Sequence, residues 1–146
     1  MTNSADKVND AKTLGADEVL LLKNHAGQEL AGMGGADIIL SFSPDMKQNS
    51  QALIGLCPDG RFVTTAPSEE PIQVDPTSTL FKQISVIGSA HNDKADLVDV
   101  LKLAANGKVK PMLETYPIDE LNSVLQRLAE GKVRHRAVVL HAAAEG

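Results

Sequence analysis

The sequence has few aromatic residues, one cysteine and no long apolar run. Aromatic residues make up 3% of the 146 residues and tryptophan is absent, so the composition predicts a core of aliphatic and alanine side chains. The single Cys57 excludes an internal disulfide and fits a reducing compartment. The apolar runs are shorter than the roughly 18 residues of a membrane span. We therefore expect a soluble, cytoplasmic protein.

The charge balance argues against a nucleic-acid partner. Fourteen basic and nineteen acidic residues give a net charge of -5, whereas a nucleic-acid footprint needs a basic patch. The acidic residues are dispersed, which is typical of an ordinary solvated surface. The length suits one globular domain with a core of its own.

The stretch from Ser50 to Pro67 has the pattern of a parallel α/β sheet. An apolar-faced helix leads through the turn Pro58-Asp59-Gly60 into a predicted strand, Arg61 to Thr65, which ends at Ala66-Pro67. A tight connection of this kind between helix and strand is typical of parallel sheets. Because open α/β sheets bind ligands at the carboxyl ends of their strands, we expect a ligand site after Thr65.

The same alternation of strands and helices runs along the whole chain, which predicts the α/β class. Short apolar runs predict the strands, and cap residues with terminal glycines predict the helix ends. The predicted strands are 19–22, 37–40, 61–65, 84–88 and 137–140, with an extended edge at 109–114. The predicted helices are 4–14, 28–33, 50–56, 77–82, 92–105 and 117–128.

An ordered series of short motifs accompanies these elements. They are Ser4-Ala5-Asp6-Lys7, Leu14-Gly15-Ala16-Asp17, Gly35-Ala36-Asp37, Pro58-Asp59-Gly60-Arg61, Val86-Ile87-Gly88-Ser89 and Gly131-Lys132-Val133-Arg134-His135-Arg136. In this order they resemble the carboxyl-terminal half of a medium-chain, zinc-type alcohol dehydrogenase. The ending Arg134-His135-Arg136-Ala137-Val138 is most similar to the cinnamyl-alcohol or aldehyde-reductase branch.

The resemblance implies an incomplete Rossmann-like parallel sheet with flanking helices. Within one domain, residues 1–90 would form a partial NAD(P)-binding region, and 91–146 the family's carboxyl-terminal helices and strand. The family's zinc-bearing catalytic domain and glycine-rich turn have no counterpart here, so we expect no catalytic residue and no metal ligand. The chain is then a truncated NAD(P)(H)-dependent alcohol or aldehyde oxidoreductase, inactive on its own. The alternative is a non-catalytic oligomeric domain that binds nucleotide weakly or not at all.

The resemblance also implies contacts with the cofactor. A polar, non-acidic end to the second strand resembles the form that accepts a 2′-phosphate, so the implied cofactor is NADP(H). The implied contacts are Asn3, Ser4 and Lys7 at the adenosine ribose, Ser41 and Ser43 on the adenosine side, Thr65, Ala66, Pro67, Gly88, Ser89 and Ala90 on the nicotinamide side, and Arg136 at the pyrophosphate. Three alternatives stay open: Ser4 as a helix cap, the strand ends as ordinary loops, and Arg136 as a surface charge.

The implied sheet has a gap. In the strand order 3-2-1-4-5-6, the first two strands lie between 19–22 and 37–40, and the chain begins only where the second should end. An apolar edge left open recruits partners, so we expect rearranged pairing, strand exchange or oligomerisation. Family members also dimerise through the strand that matches Ile84 to Gly88. A homodimer is therefore expected.

Overall fold

The computed structural model describes residues 1–2, 4–21 and 25–141. The chain forms two compact units, Met1–Asn92 and Asp93–Gly146. The first unit contains a parallel three-stranded sheet in the order β1-β2-β3. Its elements are α1 (Lys7–Thr13), α2 (Ala26–Gly32), β1 (Ala36–Ser41), α3 (Met46–Ala52), a 3₁₀ turn (Leu53–Gly55), β2 (Leu56–Thr64), α4 (Pro76–Lys82) and β3 (Ser85–Gly88). The predicted α/β class is confirmed.

The predicted turn Pro58-Asp59-Gly60 lies inside β2. Ala36 of β1 pairs with Leu56, but Ile38 already pairs with Arg61, so the residues between Leu56 and Arg61 bulge out of the ladder. Asp59 takes a left-handed conformation with φ 61°, which aspartate tolerates better than most residues. The chain therefore turns as predicted, while the strand begins five residues earlier because Leu56 is itself paired.

The core of the first unit is centred on an aromatic ring. Phe62 is 0% exposed and Leu56 is 1% exposed, and both pack with Ile39, Ala52 and Leu53. The expectation of a purely aliphatic core is therefore wrong at its centre. Phe62 lies in the middle strand, where Ala52 and Leu53 cover its face of the sheet, and burying such a side chain contributes about 1.5–3 kcal/mol.

The beginning of α1 differs from the prediction. The helix begins at Lys7 with Asp6 at the N-cap position, and the Ser4 hydroxyl donates a hydrogen bond to the Asp6 carboxylate. A capping hydroxyl must accept a bond from a helix N–H, so the interpretation of Ser4 as the cap is wrong. The end of the helix agrees with the prediction, since Gly15 follows it with φ 100°.

The predicted strand 19–22 is reduced to a single bridge among the described residues. Leu21 pairs in parallel with Thr2, and the Thr2 N–H donates to the Leu20 carbonyl over 3.0 Å. Leu22 lies outside the described residues. An apolar run becomes a strand only where a partner strand accompanies it, and the described partner here is Thr2.

The second unit joins two helices to a parallel strand pair. Its elements are α5 (Lys94–Ala105), β4 (Leu113–Pro117), a 3₁₀ turn (Ile118–Glu120), α6 (Leu121–Ala129) and β5 (Arg136–Leu140), with β4 paired to β5. The cap of α5 is Asp93 rather than the predicted Asn92, because the Asp93 carboxylate accepts the Ala95 and Asp96 N–H groups at 2.7 and 2.9 Å. The Asp96 carboxylate accepts the Asp93 N–H in return, which completes a capping box.

Two predicted boundaries in the second unit are wrong. The extended segment predicted at 109–114 becomes a strand only from Leu113 to Pro117. The helix predicted from Pro117 begins at Leu121, after the 3₁₀ turn. Pro117 has the fixed φ that suits the first turn of a helix. It is instead the last residue of β4, where it pairs with Leu140 of β5, so the helix begins after it.

Helix α2 packs closely against α3 at Gly27, where a larger side chain would clash with the α3 backbone. A Cβ atom on Gly27 would lie 2.0 Å from the Gln51 carbonyl oxygen, whereas one on Gly32, in the same helix, meets nothing within 4 Å. Gly27→Ala should therefore destabilise the first unit by about 1–3 kcal/mol through overpacking. Gly32→Ala is the control and should be neutral or stabilising by up to about 1 kcal/mol. Urea unfolding followed by circular dichroism tests both, and equal midpoints for the two variants would contradict this packing.

Candidate functional site

The ends of the three parallel strands of the first unit meet at one edge. The Thr65 N–H and hydroxyl both donate to the Ser41 carbonyl, at 3.1 and 3.2 Å. The Ser89 N–H donates to the Thr64 carbonyl at 2.9 Å. Three of the predicted site residues, Ser41, Thr65 and Ser89, are thus brought together. The other predicted strand-end residues are their chain neighbours: Ser43, Ala66, Pro67, Gly88 and Ala90.

Ser41 belongs to a buried polar network. Its hydroxyl donates to Asn49 Oδ1 at 2.7 Å, and Asn49 Nδ2 donates to the Ser43 carbonyl at 2.9 Å. Ser41 is 8% exposed and Asn49 is 5% exposed. The network fixes the loop after β1 to α3, so the Ser41 side chain has a structural role. Asn49 was missed in the sequence, although its spacing of three from Met46 and Ala52, the other buried residues of α3, could have indicated it.

A cavity of about 340 Å³ opens beside the end of β1. Its wall combines apolar side chains with the polar network. The lining residues are Met1, Ile39, Leu40, Ser41, Phe42, Ser43, Gln48, Asn49 and Ala52. The cavity places a small mixed surface next to the strand ends, where an α/β sheet binds its ligands.

Thr64, the last residue of β2, carries a buried hydroxyl with no hydrogen-bond partner among the described residues. A buried polar group without a protein partner costs about 1–3 kcal/mol, and in folded proteins such groups are few. The sequence analysis named Thr65 but not Thr64. Two adjacent threonines look alike in a sequence, and only the folded structure shows that the Thr64 hydroxyl is the buried, unpaired one. Of the two, Thr64 has the unused hydrogen-bonding capacity.

The residues predicted at the ribose have local contacts. Asn3 lies outside the described residues. Ser4 accepts the Lys7 N–H on its carbonyl at 3.2 Å, and its own N–H donates to the Thr2 hydroxyl at 3.3 Å. Lys7 is exposed at the first position of α1. These contacts describe a turn at the amino end of α1, and a role at a ribose stays a prediction.

In the second unit, a carboxylate organises the segment before β5. Glu114 Oε1 accepts the Arg134 and His135 N–H groups at 2.8 and 3.3 Å, and Glu114 Oε2 accepts the Tyr116 hydroxyl at 2.5 Å. Arg127 donates to the Tyr116 oxygen at 2.8 Å and lies 3.7 Å from Glu114 Oε2. The Tyr116 hydrogen bond, then the Arg134 N–H, lower the pKa of Glu114, and the same carboxylate raises the pKa of Tyr116.

Arg136 follows this network as the first residue of β5. Its N–H donates to the Met112 carbonyl at 3.4 Å, and the residue is exposed. The backbone that carries Arg136 is therefore fixed on both sides, by Glu114 before it and by the ladder with β4 after it. Its assignment to a pyrophosphate stays a prediction.

The described residues do not fit a zinc ion. No group of three or more His, Cys, Asp or Glu residues in the described ranges is arranged to hold a metal, whereas a zinc site needs three or four converging ligands. The Cys57 thiol donates to the Gly34 carbonyl at 3.2 Å. In the same part of the chain, no helix is both long and apolar enough to cross a bilayer.

The parallel strands, the alternating helices and the polar residues at the strand ends define a Rossmann-like α/β protein. Residues 1–106 match the family described as zinc-binding dehydrogenase. The chain therefore belongs to the zinc-binding dehydrogenase family, and the resemblance drawn from the motifs is confirmed.

Alcohol dehydrogenases are among the relatives of this chain. An alcohol dehydrogenase of Geobacillus stearothermophilus is 30% identical over 138 residues, which are 93% of this chain and 41% of the relative. A probable cinnamyl alcohol dehydrogenase 6 of Arabidopsis thaliana is 29% identical over 95% of this chain and 38% of its own length. The crystal structure of the Aeropyrum pernix alcohol dehydrogenase superimposes with a TM-score of 0.83 at 24% identity, covering 94% of this chain and 40% of that one. The chain thus spans about two fifths of these proteins.

The two threonines at the end of β2 should respond oppositely to the same change. Thr64→Val removes an unpaired buried hydroxyl and should leave stability unchanged or raise it, by up to about 2 kcal/mol. Thr65→Val removes the hydroxyl bond to the Ser41 carbonyl and keeps the N–H bond to it, so it should lower stability by about 1 kcal/mol. Chemical unfolding of both variants checks this, and a marked loss of stability for Thr64→Val would show that its hydroxyl is paired.

The Glu114 network should make the second unit sensitive to acid. The pKa of Glu114 lies below its ordinary value of 4.5 in the folded chain, so the ionised form contributes stability above that value. This contribution is lost as the pH falls through the lowered pKa. Glu114→Gln should therefore lower the melting temperature at pH 7, and its difference from the wild type should shrink well below pH 4.5.

Tyr116 is the only tyrosine and there is no tryptophan, so intrinsic fluorescence reports on the second unit. Melting followed by this signal from pH 3 to 7 gives the comparison. Glu120→Gln, an exposed carboxylate of the same unit, is the control and should follow the wild-type curve. A constant difference between Glu114→Gln and the wild type across this range would contradict the assigned role.

Proposed function

We propose that this chain is the cofactor-side part of an NADP(H)-dependent alcohol or aldehyde oxidoreductase and retains a nucleotide-binding surface at its strand ends. The observation that carries the proposal is the meeting of Ser41, Thr65 and Ser89 at one edge of a parallel sheet, in a chain of the zinc-binding dehydrogenase family. The unpaired Thr64 hydroxyl beside them supplies a hydrogen-bonding group for a polar ligand.

When bound, the nicotinamide cofactor of such enzymes supplies the hydride. The role proposed for this chain is limited to holding the nucleotide. Backbone and hydroxyl groups at the ends of β1, β2 and β3 would contact it, and Gly88 leaves the approach open, because a Cβ there would meet nothing within 4 Å. Turnover is not expected from the 146 residues alone, since they span about two fifths of the relatives' length.

Lys7 supports the preference for NADP(H) over NAD(H). It is an exposed cation at the first position of α1, where the family resemblance places the adenosine ribose. A 2′-phosphate there would gain a charge-assisted contact, which is stronger than a contact between neutral groups. Lys12, in the last turn of the same helix, is outside the motif that carries the resemblance.

The second candidate is a non-catalytic oligomeric domain. The β3 edge favours it, because Val86 and Ile87 are each 41% exposed on an outer strand of the sheet. A homodimer formed through β3 would bury these side chains, as the resemblance implies. We place either form of the protein in the cytoplasm, consistent with a single free cysteine.

Fluorescence titration of NADPH and NADH with the 146-residue chain tests the proposal. Binding should enhance nicotinamide fluorescence, more strongly for NADPH. Lys7→Ala should weaken NADPH binding about tenfold, the equivalent of about 1.4 kcal/mol, and leave NADH unchanged. Lys12→Ala is the matched control and should bind both as the wild type does. A flat response to both nucleotides would instead support the non-catalytic domain.

A further inference from the structure

Helix α5 ends at the only asparagine of the sequence that precedes a glycine, in the pair Asn106-Gly107. Asn106 is the C-cap residue, with φ -82° and ψ 5°, and Gly107 follows in the left-handed conformation with φ 67°. The Gly107 N–H donates to the Ala104 carbonyl and the Lys108 N–H to the Leu103 carbonyl, both at 3.0 Å. These two bonds form the Schellman motif that closes many helices at a left-handed glycine. We call this arrangement the α5 cap.

An asparagine in this position can lose its side-chain ammonia to its own backbone. The nitrogen of the following residue loses its proton and attacks the side-chain amide carbon, the amide C–N bond breaks, and ammonia leaves a cyclic succinimide. Water then adds to one of the two ring carbonyls. Addition at the side-chain carbonyl gives aspartate, and addition at the backbone carbonyl gives isoaspartate, in which the main chain runs through Cβ. Nothing is oxidised or reduced. Glycine favours the attack because it has no Cβ beside the attacking nitrogen.

The α5 cap is open to water, but its hydrogen bonds oppose the reaction. Asn106 and Gly107 are both exposed, and a Cβ on Gly107 would meet nothing within 4 Å, so no neighbouring atom obstructs a ring at this point. The attacking nitrogen is the one whose proton is bonded to the Ala104 carbonyl. The reaction therefore requires that the last turn of α5 opens first.

The last turn of α5 should open at little cost in free energy. No residue of α5 is buried, and helix ends with few buried contacts open far more often than the whole fold does. Asn49 is the opposite case, since it is 5% exposed and both of its amide atoms are bonded. Asn122 is exposed, but it lies within α6 and precedes a serine.

We propose that Asn106 is a deamidation site, at which loss of the side-chain amide opens the last turn of α5 irreversibly. An isoaspartate lengthens the main chain by one carbon at this position, so the two bonds of the α5 cap cannot re-form together. Either product also places a negative charge at the carboxyl end of the helix, where the helix dipole disfavours it. The site uses none of the residues proposed to contact the nucleotide.

The test is incubation of the purified 146-residue chain at neutral pH, with each asparagine followed by peptide mapping and mass spectrometry. Asn106 should be converted first, while Asn122 stays intact over the same period. A protein-isoaspartate methyltransferase with S-adenosylmethionine should label the product. In urea, which frees the Gly107 N–H, conversion should be about tenfold faster. Hydrogen exchange at Gly107 and Lys108 should be about tenfold faster in the converted chain than in the fresh one.

One substitution made at each end of α5 locates the controlling step. Ala104→Gly lowers the helix propensity of the last turn and leaves Asn106-Gly107 in place. Conversion should become about fivefold faster, the equivalent of about 1 kcal/mol. Ala95→Gly, in the first turn of the same helix, is the matched control and should leave the rate unchanged. Both alanines are exposed, so both variants should fold, which circular dichroism checks.

Three results would overturn the proposal. The first is that Asn106 stays intact or is converted no faster than Asn122. The second is an equal rate in urea and in native buffer, which would show that the α5 cap does not protect the nitrogen. The third is an equal acceleration by Ala104→Gly and Ala95→Gly, which would assign control to the unfolding of the whole helix. None of these measurements uses a nucleotide, so they stand apart from the titration of NADPH.

Discussion

The pairing of β2 on both of its edges is the interaction on which the first unit depends. A parallel strand needs neighbours on both sides to satisfy its backbone, and β2 has β1 on one side and β3 on the other. Phe62 and Leu56 are buried because Ile39 of β1, Ala52 of α3 and Leu53 of the 3₁₀ turn pack against them on one face of this sheet. The same pairing brings the carboxyl ends of the three strands to one edge, so the candidate site is a direct product of the core.

Most of the polar side chains described at the strand ends have hydrogen-bond partners within the protein, and one does not. Ser41 and Asn49 satisfy one another and hold the loop after β1. Thr65 is bonded to the Ser41 carbonyl. Thr64 alone among these side chains keeps a buried, unpaired hydroxyl. In the second unit, Glu114 satisfies two backbone N–H groups and a tyrosine at once, which fixes the segment that leads into β5.

The elements that the sequence predicted well are those specified locally. Short apolar runs predicted β1, β3 and β5, and a glycine predicted the end of α1, without any knowledge of a distant partner. The strand predicted at 19–22 was wrong in extent because a strand depends on its neighbour. Asn49 and the network of Glu114, Tyr116 and Arg127 were missed, because each joins residues that only the folded chain brings together. The family resemblance pointed to the residues at the strand ends, but it pointed to Thr65 and not to Thr64, whose hydroxyl is buried without a partner.

The registers of the strands have a consequence for how the chain acquires its structure. Ile38 pairs with Arg61, Arg61 with Ser85, and Leu113 with Arg136, so each ladder closes a loop of only two dozen residues or so. The entropy lost in closing these loops is similar in all three ladders, because it depends on loop length and grows only slowly with it. The capping box at Asp93 and Asp96 starts α5 from local information alone. During synthesis, each ladder can therefore close soon after its later strand leaves the ribosome, in the order in which the strands are made.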